Sequence, residues 1–184
     1  MRVFLNPGHH LGVDCGAVNE YYGVQEAEIV REIGCLLAKY LAEAGVEVES
    51  LQSDNLAGEN PYYAEVCGSA NSSGADLFVS IHCNSAANAY AEGTETLVYA
   101  FGGRSERAAR AIQEQIVTSL GTVDRGVKER PGLLVLKYTT MPAVLVETAF
   151  ISNDSDVYLL MSRQDEIARA IARGVTDYFS GGAW

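Results

Sequence analysis

Ala75-Asp76-Leu77-Phe78-Val79-Ser80-Ile81-His82 is the stretch that decides the fold. From Leu77 to Ile81 it is nearly continuous apolar sequence, the pattern of a strand buried on both faces of a largely parallel sheet. It ends at His82. Two other short apolar runs share this build: Val3-Phe4-Leu5 leads into Asn6-Pro7-Gly8-His9, and Ala143-Val144-Leu145-Val146 ends at Glu147. Further strands are expected at 46–51, 93–101 and 133–136. Between them the apolar period switches to that of helices. Val30, Ile33, Leu37, Leu41 and Ala44 mark a helix over about 24–44, which Gly45 stops. Others are expected at 61–72, at 104–120, after the cap-like Ser152-Asn153-Asp154, and at 163–179. Strands alternating with helices indicate βαβ units. The expected architecture is a single three-layer α/β domain over 1–180. It has a mostly parallel, twisted sheet of about six strands with helices on both faces. Residues 181–184 read as a tail or the start of a linker.

A chain of 184 residues is long enough to bury one real core. No segment approaches the ~20 apolar residues of a membrane span. The sequence passes from Met1-Arg2 straight into a strand, without the pattern of a signal peptide. The chain is therefore expected to be cytoplasmic as synthesised, or a domain cut from a longer protein. Net charge is −11; residues 1–100 hold 14 Asp+Glu against 3 Lys+Arg, and residues 101–184 hold 10 against 10. That balance argues against general nucleic-acid binding. The basic residues Arg104, Arg107, Arg110, Arg125, Lys128, Arg130 and Lys137 read as solvated faces, with an anionic substrate as the alternative. Cys15, Cys35, Cys67 and Cys83 have no metal-finger spacing and read as reduced structural thiols.

In an open α/β sheet, ligands bind beyond the carboxyl ends of the strands. His9, His82 and Glu147 stand at three such ends, and Glu26 opens the first long helix. Extending the buried stripe of that helix back by four residues lands on Glu26, so its carboxylate faces inward and needs a partner. The alternative is a first-turn Glu favoured by the helix dipole. Two histidines and a carboxylate, with water in the fourth position, make the ligand set of a hydrolytic zinc site, and a further Glu beside it is the usual general base. His9, Glu26 and His82 are thus candidate ligands of one Zn²⁺ ion, and Glu147 the candidate acid–base. His10 competes with His9 for the same role. Asn84 and Asn153 are candidates for substrate binding, with backbone capping as the alternative.

The motifs resemble the zinc-dependent N-acetylmuramoyl-L-alanine amidases of the amidase-3 type. The resemblance runs through Asn6-Pro7-Gly8-His9, Gly16-Ala17, Glu26, Gly45-Val46-Glu47-Val48, Ala70-Asn71, Ala75 to Asn84, Gly93, Arg125-Gly126-Val127-Lys128 and Pro142 to Asn153. It departs at Asn6, where the family usually has Asp, and at His10-Leu11, where glycines are usual. An Arg that often precedes the position of Asn71 is also missing. The resemblance implies that His9, Glu26 and His82 bind zinc and that Glu147 is the catalytic acid–base. The implied substrate is peptidoglycan, cut at the amide between N-acetylmuramic acid and the L-alanine of the stem peptide. A phage endolysin, a sporulation or autolytic enzyme, and a catalytic domain parted from a wall-binding domain all fit. A zinc peptidase of the stem peptide and a non-catalytic wall-binding module are the competing functions. A nucleotide-binding domain is disfavoured because no phosphate-gripping glycine loop follows the first strand.

Overall fold

A computed structural model describes residues 1–181, so most of the tail expected at 181–184 lies outside the described residues. The strands are β1 (Arg2–Pro7), β2 (Val18–Asn19), β3 (Val24–Gln25), β4 (Glu47–Ser50), β5 (Leu77–Asn84), β6 (Thr94–Val98), β7 (Asp124–Glu129) and β8 (Ala143–Phe150). The helices are α1 (Glu26–Glu43), α2 (Val66–Ser72), α3 (Arg104–Leu120), α4 (Leu134–Lys137), α5 (Asp154–Ser162) and α6 (Gln164–Ser180). Six strands form one sheet in the order β4-β1-β5-β8-β6-β7. All neighbours in it are parallel except β6 and β8, which run antiparallel. The small β2–β3 hairpin stands apart.

The buried central strands separate two unequal layers. Val3, Leu5, Leu77, Val79, Ile81, Val144 and Val146 pack with α1, α3 and α6 in the large core, whereas Phe4, Phe78, Leu97 and Leu145 pack with α2 and α4 in a small one. Alternation along β5 therefore sends Cys83 to the large core and leaves His82 on the thinly covered face with Ser80. Asn6 joins the central strands. Its amide donates to Leu51 O at 3.0 Å, and its Oδ1 accepts from Ser80 Oγ at 2.9 Å. An ionised Asp could supply only the second of these bonds.

Several expectations change. The helix expected over 61–72 starts only at Val66, and the strand expected over 93–101 is Thr94–Val98. Residues 133–136 do not form a strand: α4 occupies Leu134–Lys137. A four-residue apolar run has no period by which helix and strand can be told apart. β7, Asp-Arg-Gly-Val-Lys-Glu, was not expected; it is an edge strand, and the charges that suit an edge conceal the strand pattern. His82 and Glu147 are not the ends of their strands, which continue to Asn84 and Phe150. Asn153 caps α5 as its sequence suggests, its side chain accepting from the Ser155 and Asp156 N–H groups.

α3 and α6 cross in backbone contact. A Cβ on Gly174 would lie 2.4 Å from Ile112 Cα. Alanine favours a helix over glycine by about 1 kcal/mol, but overpacking against backbone costs about 1–3 kcal/mol. Gly174→Ala is therefore expected to lower stability by about 1–2 kcal/mol, read as an earlier midpoint in urea unfolding. An unchanged or later midpoint would mean that the two helices can slide apart freely.

Candidate metal centre and its proton acceptor

The site lies where β1, β5 and β8 approach the start of α1. After Pro7 the backbone stays beside β5, with the Gly8 N–H donating to Ile81 O at 2.9 Å. Only glycine fits there, since a Cβ would come within 2.2 Å of the His82 imidazole. His9 follows with φ of +64°, the left-handed region that a side chain occupies at a cost. The two rings meet edge to face at 5.0 Å between centroids. His9 Nδ1 lies 2.6 Å from Asp14 Oδ2, and its Nε2 lies 3.0 Å from Glu26 Oε2. Asp14 is itself fixed, its Oδ1 accepting the Gly16 N–H at 3.0 Å. A carboxylate on the far nitrogen of a ligating histidine sets its tautomer and orients the ring.

Glu26 is 3% exposed. Its Oε2 accepts the Ala17 N–H and its Oε1 the Cys83 N–H, each at 2.9 Å. His82 Nδ1 lies 2.9 Å from Oε1. Burial opposes ionisation of this carboxyl, but hydrogen bonds and charge from His82 and His9 hold it well below the usual carboxylate range. His9 shows the complementary effect. Burial opposes its charge, while Glu26 and Asp14 raise its pKa to about 9.

His9, Glu26 and His82 each offer a ligand atom, and all three atoms lie within 4.8 Å of one another. As metal-free neighbours these atoms need protons between them, because imidazole and carboxylate lone pairs repel. A divalent cation satisfies the same lone pairs without protons. Two nitrogens and one carboxylate oxygen on a partly open face suit a catalytic zinc-type ion.

Glu147 completes the arrangement. In the sheet register it stands opposite His82 on β5 and opposite Glu95 on β6. Its Oε2 is buried and has no hydrogen-bond partner among the described residues. Burial, opposed by His82 and His9 and aided by the Glu26 and Glu95 charges, raises its carboxyl to about 7. An unpartnered buried oxygen on a half-neutral acid is poised to exchange a proton with a group that arrives beside it. A cleft of about 160 Å³ opens next to His9 and His82, lined also by Asn6, Asp54, Leu134 and Leu145.

The other candidates lie outside this cluster. His10 Nδ1 is 3.2 Å from Asp54 Oδ1, and its ring packs against Tyr63 at 4.4 Å. The side chain of Asn153 is taken up by the α5 cap and by a bond from its Nδ2 to Ala89 O at 2.9 Å. Asn84 Oδ1 accepts the Ser85 N–H at 2.9 Å. Sequence reasoning missed Asp14. The signal was present, since it is the one acid in the glycine-rich turn between Gly12 and Gly16. It also missed the grip of the Ala17 and Cys83 amides on Glu26, which no side-chain pattern announces.

The raised pKa of Glu147 has a thermodynamic consequence in the metal-free protein. The folded carboxyl keeps its proton up to about 7, whereas the ordinary value is 4.5. Between those values the folded chain binds more protons than the unfolded one, so this group's contribution to stability falls as pH rises. Glu147→Gln removes that loss. In the presence of a chelator, the variant is expected to gain on the parent between pH 4.5 and 7, by at most about 3 kcal/mol. Urea titrations across that range test this, and parallel curves for parent and variant would show an ordinary carboxyl.

Residues 3–177 match the family described as N-acetylmuramoyl-L-alanine amidase, Amidase_3. The chain is 40% identical over 181 residues to the Bacillus subtilis (strain 168) protein YqiI, covering 96% of this chain and 84% of that one. It is 36% identical over 184 residues to the N-acetylmuramoyl-L-alanine amidase LytC of the same organism; here 96% of this chain spans only 35% of LytC. Among solved structures, the CwlD amidase of Clostridioides difficile, in complex with the GerS lipoprotein, superposes with a TM-score of 0.86 at 28% identity, covering 98% of this chain and 99% of that one.

Proposed function

The chain belongs to the N-acetylmuramoyl-L-alanine amidase family, and on that premise we propose that it hydrolyses the amide between N-acetylmuramic acid and the L-alanine of the peptidoglycan stem peptide. One observation carries the reading: an unpartnered, buried carboxylate oxygen on Glu147 stands in register with His82, one member of a three-residue metal-type cluster. A binding module would have no use for that oxygen, because leaving a buried acceptor unsatisfied only costs stability.

We assign His9, Glu26 and His82 as the ligands of one zinc ion; the donor set supports that choice. When bound, such an ion supplies Lewis acidity, polarising a carbonyl and acidifying water. The protein's own residues do the rest. Asp14, through His9 Nδ1, keeps Nε2 directed at the cluster. The amides of Ala17 and Cys83 keep Glu26 ionised and fixed. Glu147 takes a proton from water as the water oxygen bonds to the lactyl carbonyl carbon. It then delivers that proton to the alanine nitrogen as the carbon–nitrogen bond breaks, since the nitrogen cannot leave as an amide anion. Burial raises this carboxyl above its ordinary value in the metal-free chain, which favours its holding a proton between the two transfers. The products are the free lactyl carboxylate on the glycan and a peptide beginning with alanine.

Digestion of purified peptidoglycan is expected to release new N-terminal alanine, to stop with a chelator and to resume with zinc. New termini from another stem residue would move the cut into the peptide. Glu147→Ala is expected to retain stoichiometric zinc and to lose about 10²–10⁴ in turnover. His82→Ala is expected to lose the metal itself. A folded Glu147→Ala variant with near-normal turnover would remove Glu147 from the mechanism.

A further inference from the structure

The polar row through His82 and Glu147 extends one strand further. Glu95, 6% exposed, stands opposite Glu147 on antiparallel β6. Its Oε2 accepts from Arg125 Nε at 2.8 Å and from Lys128 Nζ at 2.5 Å. Arg125 and Lys128 are three apart on β7, and in a regular strand an odd separation sends side chains to opposite faces. They converge because β7 bulges. As β6 advances from Thr94 to Thr96, the partners on β7 advance from Asp124 to Val127, one residue extra. Gly126 absorbs the bend with φ of +75°, and its N–H donates to Asp124 Oδ1 at 2.9 Å. Bulges of this kind re-aim side chains and concentrate beside active sites.

The bulge thus brings two cations onto one carboxylate oxygen, leaving one positive charge unmatched by Glu95. Neither cation is paired with Glu147, whose Oε2 has no hydrogen-bond partner among the described residues. Both side chains keep about a third of their surface open, 33% for Arg125 and 32% for Lys128. Arg125 spends Nε on Glu95 and Nη1 on Glu92 O at 3.3 Å, while its guanidinium stacks 4.8 Å over the Phe150 ring. Among the described residues nothing accepts from Nη2. In a chain of net charge −11, a surplus cation held open beside the catalytic row calls for an anion from outside the protein.

Position selects the anion. Strands are about 4.8 Å apart, which puts β7 about 10 Å from Glu147 along the row. Two residues of extended peptide span about 7 Å, and the long cationic side chains close the remainder. We propose that Arg125 and Lys128, held apart from Glu147 by Glu95, form a subsite for a free carboxylate on the stem peptide, carried by its second or third residue. The guanidinium fork and the ammonium are the two donors that suit a carboxylate. This inference rests on the amidase reading.

The test uses four muramyl tripeptides, each with its C-terminal α-carboxyl amidated so that position three carries no other carboxylate. The α-carboxyl of the second residue is free or amidated, and the third residue is either lysine or diaminopimelate, which adds a side-chain carboxylate. The parent chain is expected to prefer one carboxylate-bearing partner by about tenfold or more in kcat/KM. Arg125→Gln and Lys128→Gln are each expected to bring that ratio towards one, and Lys128→Arg to restore most of it. A ratio measured within one preparation is independent of how much of the variant is folded. Loss of the preference at position two identifies the second residue as the carboxylate donor, and loss at position three identifies the third. If the parent cleaves the substrates and the ratios do not move, the subsite falls and the amidase reading stands. If no substrate yields N-terminal alanine, both fall.

Discussion

A carboxylate buried to 3% exposure would be too costly to keep ionised unless its lone pairs were met, and Glu26 meets them with two backbone N–H groups and two imidazoles. These contacts reach across the fold. The Ala17 amide comes from the turn before α1, the Cys83 amide and His82 from the central strand, and His9 from the turn after β1. The Glu26 N–H donates back to Ala17 O at 2.8 Å, so the helix start and the preceding turn hold each other. Other features of the site follow from this clamp. Gly8 must lack a side chain because His82 stands over it. Gly16 must as well, since a Cβ there would lie 2.7 Å from Glu26 Oε2. His9 accepts a left-handed backbone to bring its ring to the carboxylate.

Much of this was legible in the sequence. The nearly continuous apolar run Leu77–Ile81 announces a central strand, and the stripe of α1, read backwards, places Glu26 on the inner face. What periodicity conveys is which side of an element a residue occupies. It does not show where an element stops, so His82 and Glu147 were read as strand ends although the ladder carries on past both. The difference matters chemically. A residue in the ladder has its neighbours fixed by register, and Glu147 is flanked by His82 and Glu95 for that reason. The parts hidden from the sequence are those made by backbone or by charge. The Ala17 and Cys83 amides have no residue signature. β7 looks like a loop because its alternation is written in Asp, Arg, Lys and Glu around a bulge.

The unequal layers explain why the cluster can be both firm and open. Three long helices cover one face of the sheet, and that thick layer holds β1, β5 and β8 in place. The other face is covered by the short α2 and α4 and by loop residues such as Leu51, Leu56 and Met141. Side chains directed to the thin face, His82 and Glu147 among them, are positioned by a rigid backbone yet stand under little protein. Burial sufficient to raise the Glu147 carboxyl therefore coexists with an open cleft beside His9 and His82.

Reversal of one strand has a last consequence. Because β6 runs against β8, the catalytic edge receives the beginning of β6, and its end, with the turn 99–103, emerges at the opposite rim. That turn carries exposed Tyr99 and Phe101 and leads into α3. The chain can thus lengthen or vary at that rim without disturbing the chemistry, a freedom that a wholly parallel sheet would have spent on loops crowding the site. Evolution or an engineer seeking to graft an anchor, a reporter or a second module onto this enzyme would find the permissive point there, at the other end of the strands from His82 and Glu147.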